Sequence, residues 1–155
     1  MSNHSKSRAA DQARNDEQKV DAGRLREFPA FAKFSEEDLH RLVHAAHRTS
    51  TSGPWPLILE QTPSDSCYIL LSGEAAVYVG QERVAVVGPG EVIGESSLRR
   101  GTLRNATVTT TGRSEVLHIA RDDLDRLLQE IPALRETMDA TVAKHVPGAA
   151  AGNPH

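Results

Sequence analysis

Residues 90–108 read GEVIGESSLRRGTLRNATV, an unusual chemistry for a short stretch between apolar runs. Gly90 and Gly94 stand ahead of one carboxylate, Glu95. Two short hydroxyl residues follow, Ser96 and Ser97, and then a cation, Arg104, beside the small or polar Asn105 and Ala106. Gly94 lets backbone approach without a Cβ, and Ser96-Ser97 can open a turn of helix whose N-terminus favours negative charge. A compact anion held away from water needs one cation and several N–H donors. Arg104 is the candidate cation, and the amides around Ser96, Ser97 and Ala106 are the candidate donors. The plainer alternative is that Glu95 and Arg104 pair with each other and hold a surface loop.

The surrounding sequence sets the elements that must position these groups. SEEDLHRLVHAAH (35–47) begins with Ser35 as an N-cap and has Asp38 three residues on. It then places Leu39, Leu42, Val43 and Ala46 on one stripe at helical spacing, which predicts a short amphipathic helix. From Trp55 to Ile119 the runs CYILL, EAAVYV, RVAVV, ATVTT and EVLHI are divided by the turn signals SG, GQE, GPG and TGR. Many closely spaced strands predict a mainly β fold, a sandwich or barrel rather than a parallel sheet. Helical spacing returns through Leu124, Leu127, Leu128 and Ile131, and Pro132 breaks it before ALRETMDATVAKHV, a segment of modest apolar face. The expected order is an N-terminal helix, the β unit and two C-terminal helices.

The chain has 155 residues, a formal net charge of −3 and one cysteine, Cys67. About 125 residues between the polar ends suffice for a single core, with no room for a second domain. No clustered positive footprint suggests a nucleic-acid or membrane-surface binder. Cys67 cannot form an intramolecular disulfide, and no apolar run approaches transmembrane or signal-peptide character, so a cytoplasmic location is expected. Residues 1–20 are too polar to repay the entropy of ordering and are expected to be a disordered tail, as is 147–155, PGAAAGNPH. The domain is placed at 21–146.

Over roughly residues 25–146 the chain resembles the cyclic-nucleotide-binding domain, the module shared by the catabolite activator protein and the regulatory subunits of cAMP-dependent kinase. The family's phosphate-binding cassette typically reads Phe-Gly-Glu-Leu-Ala-Leu, a few variable residues, then Arg-x-Ala-Thr-Val. Ile93 to Leu98, Arg99 to Leu103 and Arg104 to Val108 fall into that pattern without a gap against the kinase form, and YILLSGEAAVYV and VGPGEVIGE match the strand and turn framework. The resemblance implies an antiparallel β-barrel of jelly-roll, double-stranded β-helix type. It also implies a site made of Gly94, Glu95, Ser96, Ser97, Arg104, Asn105 and Ala106. Arg104 would neutralise a cyclic phosphate, and Glu95, which would repel that anion, would accept the ribose 2′-OH.

Departures from the pattern are Ile93 for an aromatic residue, Ser96-Ser97 for Leu-Ala and Leu103 for Pro. Gln61 stands where the family has a turn glycine, which predicts a differently built hairpin. Asn105 leaves cAMP and cGMP both open. Pro147-Gly148 ends the last helix after about four turns, so the purine lid common in the family is missing or comes from a partner.

The function expected is that of a non-enzymatic regulatory module for cAMP or cGMP. It has no cofactor, metal or DNA-binding domain and does not contact membrane, and it acts through an effector protein or by sequestering the nucleotide, with a homodimer open to it. The rival readings are a ligandless barrel serving as a protein-interaction adaptor and a metal-dependent barrel enzyme. His40, His44 and His47 are spaced for one helical face but lack a completing ligand, and the paired barrel histidines of metal-binding cupins are absent. Cys67 reads as a core residue, Trp55 as a plug for one barrel end, and Arg99-Arg100 as the solvated rim of the cassette.

Overall fold

The computed structural model describes residues 2–140, with side chains described from residue 8 onward. The expected tail at 147–155 and the part of the expected final helix beyond residue 140 lie outside that range. Helix α1 (Ser2–Arg26) leads through a 3-10 turn (Pro29–Phe31) to α2 (Glu36–Ala45). Eight strands follow: β1 (His47–Thr51), β2 (Trp55–Ile58), β3 (Ser66–Ser72), β4 (Ala75–Val79), β5 (Glu82–Val87), β6 (Val92–Ile93), β7 (Thr107–Thr110) and β8 (Ser114–Ala120). The short α3 (Glu95–Arg100) lies between β6 and β7, and α4 (Arg121–Glu130) follows β8. Residues 132–140 are again helical.

The strands form two four-stranded antiparallel sheets, in the orders β1-β8-β3-β6 and β2-β7-β4-β5. Ile58, Ala75, Val77, Val87 and Val108 of one sheet meet Leu70, Ile93 and Val116 of the other in a shared interior. The opposite face of the first sheet presents Cys67, Ile69, Leu71, Leu117 and Ile119 to the helices, which contribute Leu25, Leu39, Leu42, Leu124 and Leu127. β3 is therefore covered on both faces. That is why CYILL reads as one unbroken apolar run rather than an alternation. This is the mainly β, jelly-roll architecture with flanking helices that the sequence predicts.

α2 starts as its sequence predicts, with the Ser35 hydroxyl accepting from the Asp38 N–H at 3.0 Å. The N-terminal residues differ from expectation. Residues 2–26 form one helix, so a boundary at residue 21 falls within it. Residues 8–17 are exposed, whereas Ala22 and Leu25 enter the helix-side core, and Arg24 makes a two-pronged pair with Glu115 at 2.8 and 3.1 Å. Polar composition argues against burial but not against helix. Ala, Arg, Gln, Lys and Glu all propagate one readily from an anchored end.

Two other expectations are corrected. Trp55 does not plug the sandwich; it is 61 % exposed on the edge strand β2. α2 ends at Ala45, so His47 opens β1 and the three histidines share no helical face. The segment after Pro132 is docked: Leu134 and Met138 are fully buried in the helix-side core, and the Thr137 hydroxyl donates to the Ala30 carbonyl at 2.9 Å. No helix among the described residues is long and apolar enough to cross a membrane.

Candidate functional site

The cassette begins where β6 runs into Gly94, whose φ of +82° lies in the left-handed region. A Cβ there would stand 2.5 Å from the Ile58 Cδ1 and 2.7 Å from the Arg104 Nη1. Glycine is thus required twice, by the backbone angle and by the guanidinium beside it. α3 follows at once, and its first intrahelical acceptor, the Gly94 carbonyl, is used by the Leu98 N–H at 3.4 Å. The amides of Glu95, Ser96 and Ser97 precede that bond and have no acceptor within the helix. Gly101, at φ +67°, closes the helix.

Arg104 is 4 % exposed. Its Nη1 donates to the Gly94 carbonyl at 2.6 Å and its Nη2 to the Ser66 carbonyl. Among the described residues it pairs with no carboxylate. Burial lowers its pKa from the usual value, opposed by the negative potential of Asp65 and by Cys67 and Tyr68. Its backbone is fixed as firmly as its side chain. The Arg104 N–H donates to the Thr62 carbonyl at 2.8 Å, and its carbonyl accepts from the Gln61 N–H at 2.7 Å.

Gln61 makes that second bond from a φ of +66°, the one positive φ at a non-glycine among the described residues. The hairpin expected to be built differently therefore keeps the left-handed turn that a glycine would supply, with glutamine bearing the strain.

Glu95 is 3 % exposed, and its Oε2 has no hydrogen-bond partner among the described residues. The Arg99 Nη1 stands 3.6 Å from that oxygen, near enough to offset its charge but too far to donate. Burial raises the Glu95 pKa, and Arg99 opposes the rise. The plain alternative of a Glu95–Arg104 pair is not what the fold contains: each charge is buried with other neighbours. Ser97 is buried, Ser96 and Asn105 are half-buried, and Ala106 is part of the inter-sheet interior. All seven predicted residues thus lie along one path from β6 to β7. Cys67 lies fully buried on β3, and burial, reinforced by Glu95, pushes its thiol up to about 12, as befits a core residue.

Sequence reasoning missed several supports. Arg121, the first residue of α4, donates from Nη1 to the Leu98 carbonyl at 3.1 Å and from Nη2 to the Ser64 carbonyl. The Ser64 hydroxyl in turn donates to the Thr102 carbonyl at 2.6 Å. Arg99 is exposed as expected of the rim, but its side chain also bridges Glu95 to Asp139 of the last helix, bonding the latter at 3.0 Å. Arg100 is likewise exposed, bonding the Ser96 hydroxyl at 2.8 Å. The i, i+4 spacing of Glu95 and Arg99 was the one legible signal.

Comparison with known proteins agrees with this geometry. Residues 56–131 match the family model described as the cyclic nucleotide-binding domain. The chain is 28 % identical over 110 residues to a cAMP-dependent protein kinase regulatory subunit of Hypocrea atroviridis, covering 71 % of this chain and 24 % of that protein. It is 33 % identical over 107 residues to a cGMP-dependent protein kinase of Eimeria tenella, covering 66 % of this chain and 11 % of that one. The chain thus spans well under two thirds of either relative. A solved structure described as Sp-2Cl-cAMPS bound to PKAR CBD2 superposes with a TM-score of 0.75 at 17 % identity, covering 86 % of this chain and 90 % of that one, which shows a shared fold. Matched by sequence model over residues 56–131 and by fold, the chain carries a cyclic-nucleotide-binding domain.

Proposed function

We propose that the protein is a non-enzymatic binding module for a cyclic nucleotide, cAMP or cGMP, and that Gly94, Glu95, Ser96, Ser97, Arg104, Asn105 and Ala106 form its site. One observation carries the reading: the cassette buries a cation and a carboxylate that do not pair with each other, and among the described residues one carboxylate oxygen has no hydrogen-bond donor. Among the described residues Arg104 pairs with no carboxylate, and the Glu95 Oε2 meets only the Arg99 charge at 3.6 Å without a hydrogen bond. Burying charges so incompletely partnered is costly, which suits the cassette to a ligand that supplies the missing partners. A 3′,5′-cyclic nucleotide offers both, a monoanionic phosphate for Arg104 and the early α3 amides, and a ribose hydroxyl for Glu95.

These groups neutralise and orient; none is placed to activate water at the phosphate, so the module binds and does not hydrolyse. Its output passes to an effector protein or consists of holding the nucleotide. That relatives carry names of cAMP- and cGMP-dependent kinase proteins supports both ligands equally. Calorimetric titration of the full chain with cAMP and cGMP tests the reading. Saturable 1:1 heat with either supports it, whereas no heat and no thermal shift at millimolar concentrations overturns it in favour of a ligandless adaptor. Release of AMP or GMP in proportion to protein concentration overturns the non-enzymatic part.

A further inference from the structure

Arg99 stands between two carboxylates on different elements. Its Nη1 bonds the Asp139 Oδ1 at 3.0 Å and lies 3.6 Å from the Glu95 Oε2. The Arg99 side chain is 25 % exposed and that of Asp139 59 %, whereas that of Glu95 is 4 %. Asp139 therefore holds the cation from the solvent side while the cation faces the buried oxygen that lacks a donor. Without Asp139, an arginine at the edge of a six-residue helix is free to swing toward water and regain rotamer entropy. Glu95 would then be a buried carboxylate stripped of its nearest counter-charge, and its neutral, protonated form would gain. A protonated carboxyl loses part of its capacity as an acceptor for a hydroxyl.

Resting on the nucleotide-binding reading above, we propose that Arg99 is a positioning residue that ties Glu95 to Asp139 of the final helix, so that recognition of the ribose hydroxyl and docking of that helix strengthen each other. The link is reciprocal, since whatever a docked helix adds to hydroxyl binding, the bound hydroxyl returns to docking. It gives the final helix a sensor for one functional group of the ligand, separate from the phosphate sensed by Arg104. Leu134 and Met138 in the helix-side core, and the Thr137 hydroxyl bonded to the Ala30 carbonyl, dock the same helix without a charge that faces Glu95 and make no such distinction.

The test compares affinities for the cyclic nucleotide that binds and for its 2′-deoxy analogue, in the full chain. In Asp139→Asn and in Arg99→Gln, the ratio of the two affinities should fall about three- to fivefold, the range expected of a part-exposed ion pair, with 2′-deoxy affinity unchanged. Arg99→Lys, which keeps the charge, should recover part of the ratio. Amide exchange over 132–140 in the hydroxyl-bearing complex should slow more than in the 2′-deoxy complex, a difference that Asp139→Asn removes. A ratio unchanged in both variants, even with a lowered Tm, overturns the proposal and leaves Arg99 a structural tie while the binding reading stands. Wild-type protein that binds neither cAMP nor cGMP overturns the binding reading, and this proposal with it.

Discussion

Glu95 and Arg104 are opposite charges buried in one loop, and they do not neutralise each other. Arg104 points its guanidinium at the carbonyls of Gly94 and Ser66, and Glu95 leans toward Arg99 from across a gap too long for a hydrogen bond. A pair optimised for stability would close that separation, because two charges out of water gain most from direct contact. Keeping them apart leaves each with unmet capacity. Arg104 has donors beyond the two used for the Gly94 and Ser66 carbonyls, and the Glu95 Oε2 has no donor among the described residues.

Arg104→Ala should cost roughly 2–5 kcal/mol of cyclic-nucleotide affinity, about thirtyfold or more, because the phosphate is then buried without its cation. Arg104→Lys should restore only part of the loss, since one ammonium cannot bond two carbonyls and a phosphate with the guanidinium's fixed geometry. Titration calorimetry on both variants reads this directly. Wild-type affinity in Arg104→Ala would move the phosphate site elsewhere.

Glu95 should destabilise the ligand-free fold at neutral pH. Its folded pKa is raised by burial, so its contribution to stability is greatest below the ordinary glutamate value of 4.5 and is lost as pH rises through the folded value. Glu95→Gln removes that loss. Relief of one buried, unsatisfied carboxylate is worth about 1 kcal/mol, or a Tm higher by about 2–4 °C at pH 7, with the advantage shrinking toward pH 4. The same variant should bind nucleotide more weakly, and a 2′-deoxy analogue no more weakly than wild type does. Thermal melts across that pH range check the sign, and a Tm that falls equally at both ends would show that the carboxylate is needed by the fold rather than by the ligand.

The cassette was legible because its chemistry is local. Gly94, Glu95 and Arg104 announce a close backbone approach, a carboxylate and a cation within one short run, and strand β3 announces a two-sided burial by its unbroken apolar residues. What was not legible depends on contacts between distant segments. Nothing near Trp55 says that it sits on an edge strand with its ring in solvent. Nothing near Arg99 says that Asp139 will arrive beside it, since that meeting is made by the turn at Pro132 and the burial of Leu134 and Met138. α1 shows a different limit, because residues without an apolar stripe can still extend a helix nucleated at a packed end, which periodicity alone does not reveal.

Gln61 offers a test of backbone strain beneath the site. A glutamine held at φ +66° costs on the order of 1 kcal/mol relative to glycine, and its amide is bonded to the carbonyl of Arg104. Gln61→Gly should therefore raise the Tm by a few degrees and leave affinity unchanged. Gln61→Val, with a branched side chain at the same angle, should lower the Tm and weaken nucleotide binding together, because the turn must shift and Arg104 is bonded to it on both sides. A Tm lowered in Gln61→Gly would mean that the side chain, not the angle, is what the turn requires.

The helices after β8 should carry the response to ligand, and the burial they show sets the form it takes. Leu124, Leu127, Ile131, Leu134 and Met138 are all buried in the helix-side core, so free detachment would expose several large side chains at roughly 1.5–3 kcal/mol each. Arg121 fastens the start of α4 to the Leu98 carbonyl, and Arg99 fastens the last helix to Glu95, so two of the ties run straight into the cassette. A ligand that draws α3 toward its phosphate therefore pulls on both helices at once, which favours a shift of the packed pair over the melting of either. Hydrogen exchange with and without nucleotide should show altered protection across 121–140 and at 94–104, with β3 and β8 unchanged. Saturating ligand that slows exchange at 94–104 while leaving 121–140 untouched would confine the response to the cassette and remove these helices as the route to an effector.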